Sequence, residues 1–238
     1  SPDEIATMRE AGRLVALALR TMAEAIEPGR TTPKMLDDLA FEMLRQNGAT
    51  PSFLGYRDFP NSVCISVNEA VVHGIPGDRV LIEGDIVGLD LGVCVEGLHA
   101  DGAWTYAVGQ IPASTQRLLN VSRESLHQGI AKAKPGNRIG DVASAVQRYV
   151  ERNGYSVVRE LVGHGIGRTV HEEPSVPNYG APGKGPVLRE GMTICIEPMV
   201  NQGTFRVKTL ADNWTLVTSD GKMSAHFEHK VEKKKDGP

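Results

Sequence analysis

The sequence predicts an α+β fold made of two similar halves, each a pair of helices followed by antiparallel strands. Three observations predict it. Helical and strand-like hydrophobic periods come in the same order twice. The punctuation between them repeats at one offset: Pro28-Gly29 recurs as Pro135-Gly136, and Val80-Leu81-Ile82-Glu83-Gly84 as Val187-Leu188-Arg189-Glu190-Gly191, each 107 residues on. An apolar hairpin in the first half carries an acid, Asp90, that falls on Glu197 at the same shift. The 238 residues therefore read as a single domain, with pseudo-repeat halves at about 1–110 and 111–238.

The first half opens on a helix. Ser1-Pro2-Asp3-Glu4 offers a cap, a first-turn proline and a capping-box glutamate. This is a soluble helix start rather than a signal peptide, which needs an apolar run behind basic residues. Ile5, Met8, Val15, Leu19, Met22 and Ile26 follow at helical spacing, and Pro28-Gly29 is expected to stop them. Thr32-Pro33 starts a second helix with Leu36, Leu39, Met43 and Leu44 inward, ending at Asn47-Gly48. Ser62 to Val72 reads as a strand region broken at Asn68-Glu69, and His73-Gly74-Ile75-Pro76-Gly77 as a loop. The second half repeats the plan. One helix from about Ala113 carries Leu118, Val121 and Ile130; another holds Ile139, Val142, Val146 and Tyr149 and ends at Asn153-Gly154. Near the end, Ser219-Asp220-Gly221 is expected to fold Trp214–Thr218 and Met223–Val231 into a hairpin.

The hairpin of the first half, Gly84 to Gly109, has two apolar strands around a turn at Glu96-Gly97. Each strand carries one acid, Asp90 and Asp101, eleven residues apart. A two-residue turn pairs residues whose numbers sum to an odd value, and side chains alternate faces along a strand. Asp101 then stands opposite residue 90, 92 or 94, on the face of Asp90. Two carboxylates within about 5–8 Å on one buried face must share a proton or a cation.

Composition narrows the classes. A net charge of −3 with mixed signs argues against nucleic acid, DNA included, as the main partner. No run approaches the ~18 apolar residues of a membrane span. Cys64, Cys94 and Cys195 are odd in number, sit in apolar runs and form no C-x-x-C pair, which fits reduced thiols in a cytoplasmic protein.

Further residues converge on the acid pair once the halves are packed about a pseudo-twofold axis. Leu161-Val162-Gly163-His164-Gly165-Ile166-Gly167 sets a histidine among glycines, which permit close backbone approach. Glu197 closes the apolar strand Met192–Ile196, and Glu228 lies in Ser224-Ala225-His226-Phe227-Glu228-His229. Each is unremarkable alone: a loop histidine and two strand acids. Together, Asp90, Asp101, His164, Glu197 and Glu228 give four carboxylates and an imidazole, a set suited to Mn, Fe, Co or Zn. Two ions bridged by carboxylates clamp a water between them for hydrolysis. No D-x-D-x-D-G loop argues for calcium.

These residues carry a resemblance. From Ile5 to about His229 the chain resembles the type I methionine aminopeptidases of the pita-bread fold, in which two pseudo-symmetric halves pack helices on a curved antiparallel sheet. The motifs are Val72-His73-Gly74-Ile75-Pro76, the Asp90 and Asp101 spacing, Gly163-His164-Gly165-Ile166-Gly167, His171-Glu172-Glu173-Pro174, Ile196-Glu197-Pro198 and Phe227-Glu228-His229. The resemblance implies that Asp90 chelates one of two divalent ions, Asp101 and Glu228 bridge both, and His164 and Glu197 complete the other's shell. It implies a metal-bridged water or hydroxide as nucleophile, Glu197 as proton shuttle, and His73 and His171 as hydrogen-bonding partners of the scissile peptide. Tyr56, Phe59, Cys64 and Trp214 match the family's methionine pocket, though Phe59 and Cys64 also suit a core. Phe53, where some members have cysteine, and Val170, where many have an aromatic, depart from the pattern. The implied reaction is removal of N-terminal methionine from nascent proteins when the second residue is small, by a monomer.

Two alternatives stay open. One is an X-Pro peptidase on the same fold; the first catalytic-type histidine already at 73 is expected to leave no room for the extra N-terminal domain of such enzymes. The other is a metal-free binding protein on the same scaffold, whose mark would be lost ligands. The tail K-V-E-K-K-K-D-G-P reads as a frayed end, with a basic contact to the ribosome as the other reading.

Overall fold

The computed structural model describes residues 1–232, so the reading of the charged tail from 233 onward lies outside the described residues, while Lys230, Val231 and Glu232, expected to fray, instead pair with Cys195, Ile194 and Thr193 as strand. The first half runs α1 (Pro2–Glu24), α2 (Pro33–Gln46), β1 (Thr50–Pro51), a 3-10 turn at Tyr56–Asp58, β2 (Cys64–Val67), β3 (Ala70–Val72), β4 (Ile86–Val95) and β5 (Leu98–Ala107). It continues through α3 (Ala113–Lys132), α4 (Ile139–Arg152), β6 (Ser156–Val157), β7 (Gly163–Gly165), β8 (Glu172–Val176) and β9 (Thr193–Ile196). The chain then forms β10 (Met199–Asn201), β11 (Val207–Thr209), β12 (Leu216–Thr218), β13 (Ser224–His226) and β14 (Glu228–Glu232).

An antiparallel sheet of eight strands, ordered β1-β4-β5-β14-β9-β7-β8 with β2 also paired to β4, forms the body. Two three-stranded sheets, β13-β10-β6 and β11-β12-β3, flank it. The mixed helix and antiparallel architecture is the pita-bread fold.

Local sequence explains the helix ends. The Ser1 hydroxyl accepts from the Glu4 N–H at 3.3 Å, completing a capping box. The α1 helix ends at Glu24, short of the Pro28-Gly29 stop. The reason is Thr31: its hydroxyl donates to the Ala25 carbonyl and accepts from the Glu27 N–H, both at 2.9 Å, so the chain turns before the proline. Thr32 caps α2 through Met35, as its sequence predicts.

Helices back the sheet on one side only. Leu14, Val15 and Ala18 of α1, with Leu36 and Leu44 of α2, pack on Leu89, Leu91 and Val93 of β4. Leu118 and Leu126 of α3, with Val142 and Val146 of α4, pack on Ile194, Ile196 and Phe227. A Cβ at Gly102 would come within 3.0 Å of Val15 Cγ1, so a bare backbone there lets α1 sit close. Each fully buried leucine or isoleucine in these layers contributes roughly 1.5–3 kcal/mol.

One expectation fails. The Ser219-Asp220-Gly221 turn forms, with Gly221 at φ +70°, but its arms do not pair with each other. Strand β12 pairs with β3 and β11, whereas β13 pairs with β10. The Thr218 hydroxyl donates to the Lys222 carbonyl at 2.7 Å, satisfying the turn locally and freeing the arms to enter different sheets. The run Met223–Val231 also breaks at Phe227, whose N–H turns to the Pro198 carbonyl, and only β14 joins the main sheet.

Candidate metal centre

The β4–β5 hairpin turns at Glu96 and Gly97, both at positive φ, and pairs Val95 with Leu98. Asp101 then stands opposite Gly92, and Asp90 opposite Ala103. Both acids face away from the helices. The register carries the pattern across the sheet. Glu228 of β14 is the other neighbour of Ala103. Ile196 of β9 stands opposite His229, so Glu197, one residue on, comes beside Glu228. Strand β7 pairs Gly165 with Ile194, which brings His164 to the same edge of the cluster.

Two glycines make that last approach possible. A Cβ at Gly163 would collide with the Cys195 carbonyl, and one at Gly165 with the Glu173 carbonyl. The histidine between them is thereby held between neighbouring backbones, 8% exposed. His164 Nδ1 lies 2.8 Å from the Gly165 carbonyl oxygen, which fixes that nitrogen as the N–H donor. The other, Nε2, keeps its lone pair and lies 3.4 Å from Glu197 Oε1 and 4.0 Å from Asp101 Oδ2.

The electrostatics are severe. Burial, with repulsion from Asp101, lifts Asp90 well above the usual carboxylate range. Burial lifts Asp101 to about 7, against the pull of the Gly102 N–H on its carboxylate. Glu197 and Glu228 are raised by burial and then by the neighbouring acids. The imidazoles are pushed the other way by burial: His73 and His164 downward, His171 to about 4 and His226 to about 3. Among the described residues, Asp90 Oδ1, Glu228 Oε1 and His226 Nε2 are buried atoms without a hydrogen-bond partner. Such orphans are costly in a protein interior. Donor atoms of Asp101, His164, Cys195 and Glu228 lie within 4.8 Å of one another, as do those of Glu197, His226 and Glu228. Oxygen-rich donors with imidazole nitrogens, unpartnered and mutually repelling, fit divalent cations.

The cluster floors a cavity of about 280 Å³. The side chains of Asp90, Asp101, His164, Glu197 and Glu228 all line it, as do those of His73, His171, Tyr56, Phe59, Cys64 and Trp214. His73 has φ +57°, a left-handed conformation unusual outside glycine. The next residue must be glycine, because a Cβ at Gly74 would strike the Ile65 carbonyl. His171 Nδ1 bonds the Tyr56 hydroxyl at 2.9 Å, leaving Nε2 for the cavity, and its ring lies 4.3 Å from that of His164. Phe59 meets Trp214 edge-on at 5.1 Å between centroids. With Phe53, Cys64 and Val170 they form the apolar wall, so Phe59 and Cys64 are both core and lining.

Among the lining residues to which the sequence reading gave no role are Arg57, Glu160, Met199 and His226. His226 had a usable signal, since positions 226 and 228 share a face of an extended chain. Cys195 had the same one relative to Glu197. Arg57 and Glu160 lie in irregular segments, where sequence period carries no facing information.

The sequence profile of Metallopeptidase family M24 matches residues 6–234. Methionine aminopeptidase 1 of Bacillus subtilis is 53% identical over 231 residues, covering 97% of this chain and 93% of its own. Methionine aminopeptidase of Clostridium perfringens is 52% identical, covering 99% and 94%. The crystal structure of methionine aminopeptidase from Thermotoga maritima superposes with a TM-score of 0.98 at 46% identity, covering 100% of this chain and 95% of that one. Prolidase from Pyrococcus horikoshii, at 24% identity and a TM-score of 0.81, shares the fold. The chain therefore belongs to metallopeptidase family M24, the hydrolases of the pita-bread fold, and within it to the methionine aminopeptidases.

Proposed function

We propose that the chain removes N-terminal methionine from nascent proteins whose second residue is small, working on two divalent cations held by Asp90, Asp101, His164, Glu197 and Glu228. One observation carries this reading: four carboxylates, Asp101 and Glu228 buried and Asp90 and Glu197 half-buried, converge with an imidazole lone pair at the floor of a cavity whose wall is aromatic and sulfur-bearing. Bound cations, Mn, Fe, Co or Zn, would supply Lewis acidity, acidifying a water and polarising the scissile carbonyl.

The chain's own residues do the rest. Glu197, at the cavity floor, takes the proton that the attacking water gives up and delivers it to the leaving amine. His171 presents Nε2, and His73 its ring, to the scissile peptide, where they hydrogen-bond the developing oxyanion and hold the amide in line. Both imidazoles stay neutral at pH 7, which suits donation without adding charge. Phe59, Cys64, Trp214 and Tyr56 receive the thioether, which packs well on aromatic edges. The acidic floor binds the free α-amino group, so an internal methionine is not cut.

The remaining expectations belong to the same reading: one catalytic domain with pseudo-twofold halves, a monomer at work in the cytoplasm, near the ribosome. The test is metal analysis of the purified protein together with turnover of Met-Ala-Ser and Ala-Pro peptides. Cleavage of the first alone, lost on chelation and restored by metal, is expected. Preference for Ala-Pro would overturn the substrate, and full activity without metal would overturn the centre.

A further inference from the structure

His226 lies outside the five-ligand set, yet it is placed like a member of it. It is 4% exposed and lines the cavity. Its backbone is clamped twice by one side chain: the His226 N–H donates to Thr105 Oγ1 at 3.0 Å, and the Thr105 hydroxyl donates to the His226 carbonyl at 2.8 Å. The backbone that carries the ring is fixed by this pair of bonds. Its Nε2 is buried and has no hydrogen-bond partner among the described residues.

That nitrogen faces two carboxylates, Glu197 Oε2 at 3.9 Å and Glu228 Oε2 at 4.0 Å. These gaps exceed the reach of a hydrogen bond. They are shorter than the roughly 4.6 Å that a bridging water spans with two normal bonds. They match donors sharing one divalent ion, which at ~2.0–2.2 Å from the metal stand about 2.9–4.2 Å apart. The Glu197, His226 and Glu228 donors lie within 4.8 Å of one another.

We infer that His226 is a sixth metal donor, adding a second imidazole nitrogen on the Glu197–Glu228 side of the centre. That role rests on the cation centre proposed above. It gives this chain a bias towards borderline ions that favour imidazole, cobalt and zinc, over manganese, which is content with oxygen.

The wild-type full chain, stripped of metal and reloaded with Co²⁺, tests this directly. Each coordinated imidazole keeps one exchangeable N–H, and paramagnetic proton NMR shifts it far downfield. Two such signals, from His164 and His226, are expected; a single one overturns the inference. In parallel, Co²⁺ and Mn²⁺ are titrated calorimetrically into wild type and His226→Gln, with metal-free circular dichroism confirming the fold. The glutamine variant is expected to lose at least about tenfold in affinity for cobalt, with a smaller loss for manganese and a changed visible Co²⁺ spectrum. Equal affinities and an unchanged spectrum overturn the assignment, even if turnover falls, because His226 would then be positioning Glu197. Absence of any Co²⁺ binding to wild type would instead overturn the centre itself.

Discussion

The two faces of the β4–β5 hairpin share strands, register and burial, and differ in everything else. On the helix side Leu89, Leu91 and Val93 are fully buried in hydrocarbon. On the other side Asp90, Gly92 and Asp101 occupy the alternate positions, and two of these three are acids with raised pKa values. The first face stabilises the fold and asks for no partner. The second destabilises it until something neutralises the charge. The same sheet thus separates folding from chemistry by one residue of phase. Substitutions on its two faces should behave oppositely.

The largest effect belongs to the charged face. His164→Ala removes the imidazole whose Nε2 faces Asp101 and Glu197. Turnover of a Met-Gly-containing peptide should fall by more than about 10²-fold, the upper range for losing even an outer partner of a metal. Near-wild-type turnover in saturating metal would remove His164 from the ligand set. On the hydrocarbon face, Leu91→Ala should cost about 2–5 kcal/mol of unfolding free energy, read by urea titration of the metal-free protein. A loss below about 1 kcal/mol would mean the layer under α1 relaxes into the cavity.

Asp90→Asn should do the reverse. It removes a half-buried acid whose Oδ1 is buried and, among the described residues, unpartnered, and it relieves Asp101 of its repulsion. The metal-free variant should be more stable than metal-free wild type by about 1–3 kcal/mol at pH 8, while metal no longer raises its melting temperature. The pH dependence follows from the sign of the shift. Asp101 goes from 3.8 to about 7 on folding, so its protonated form stabilises the native state fully below pH 3.8. That contribution is lost as pH rises through about 7. The imidazoles run the other way: His171 and His226, ordinarily 6.5, are held at about 4 and about 3, so their contribution is lost as pH falls below 6.5. Both variants keep those histidines, so the stability gap between Asp90→Asn and wild type isolates the acids. It should be widest at pH 8 and close towards pH 4. A gap independent of pH would mean that Asp90 and Asp101 do not repel in the folded chain.

Much of this contrast was legible before any coordinates. Parity alone put Asp101 on the face of Asp90, because a two-residue turn and a two-residue repeat leave no freedom. The glycines around His164 signalled a close approach, though not which carbonyls come close. Caps at Ser1 and Thr32 set the helix starts. What period could not supply was partner choice. The arms of the Ser219–Gly221 turn look alike in sequence, and only tertiary packing sends them to different sheets. His226 escaped notice because sharing a face with Glu228 in an extended run does not by itself set it against a second carboxylate. Its meaning depends on Glu197, 29 residues earlier in the chain.

The apolar wall offers the smallest effect and the finest test of the division. Phe53 is 9% exposed, lines the cavity and packs with Phe59, Cys64, Val170, Ile75 and Trp214. It rests on the charged face of the hairpin itself: a Cβ at Gly92 would come within 2.9 Å of its ring. Phe53 is thus hydrocarbon set against the acid-bearing side, the place where the two kinds of face meet. Phe53→Ala keeps every proposed donor, so it should leave metal affinity alone and should widen the thioether pocket. The ratio of kcat/KM for methionine-initiated over phenylalanine-initiated peptides should then drop about tenfold, on the scale at which hydrophobic pockets discriminate. An unchanged ratio would place Phe53 with Leu91 as packing alone. A loss of metal affinity would mean that the wall and the floor of the cavity are mechanically one, and that the hairpin does not keep its two tasks apart.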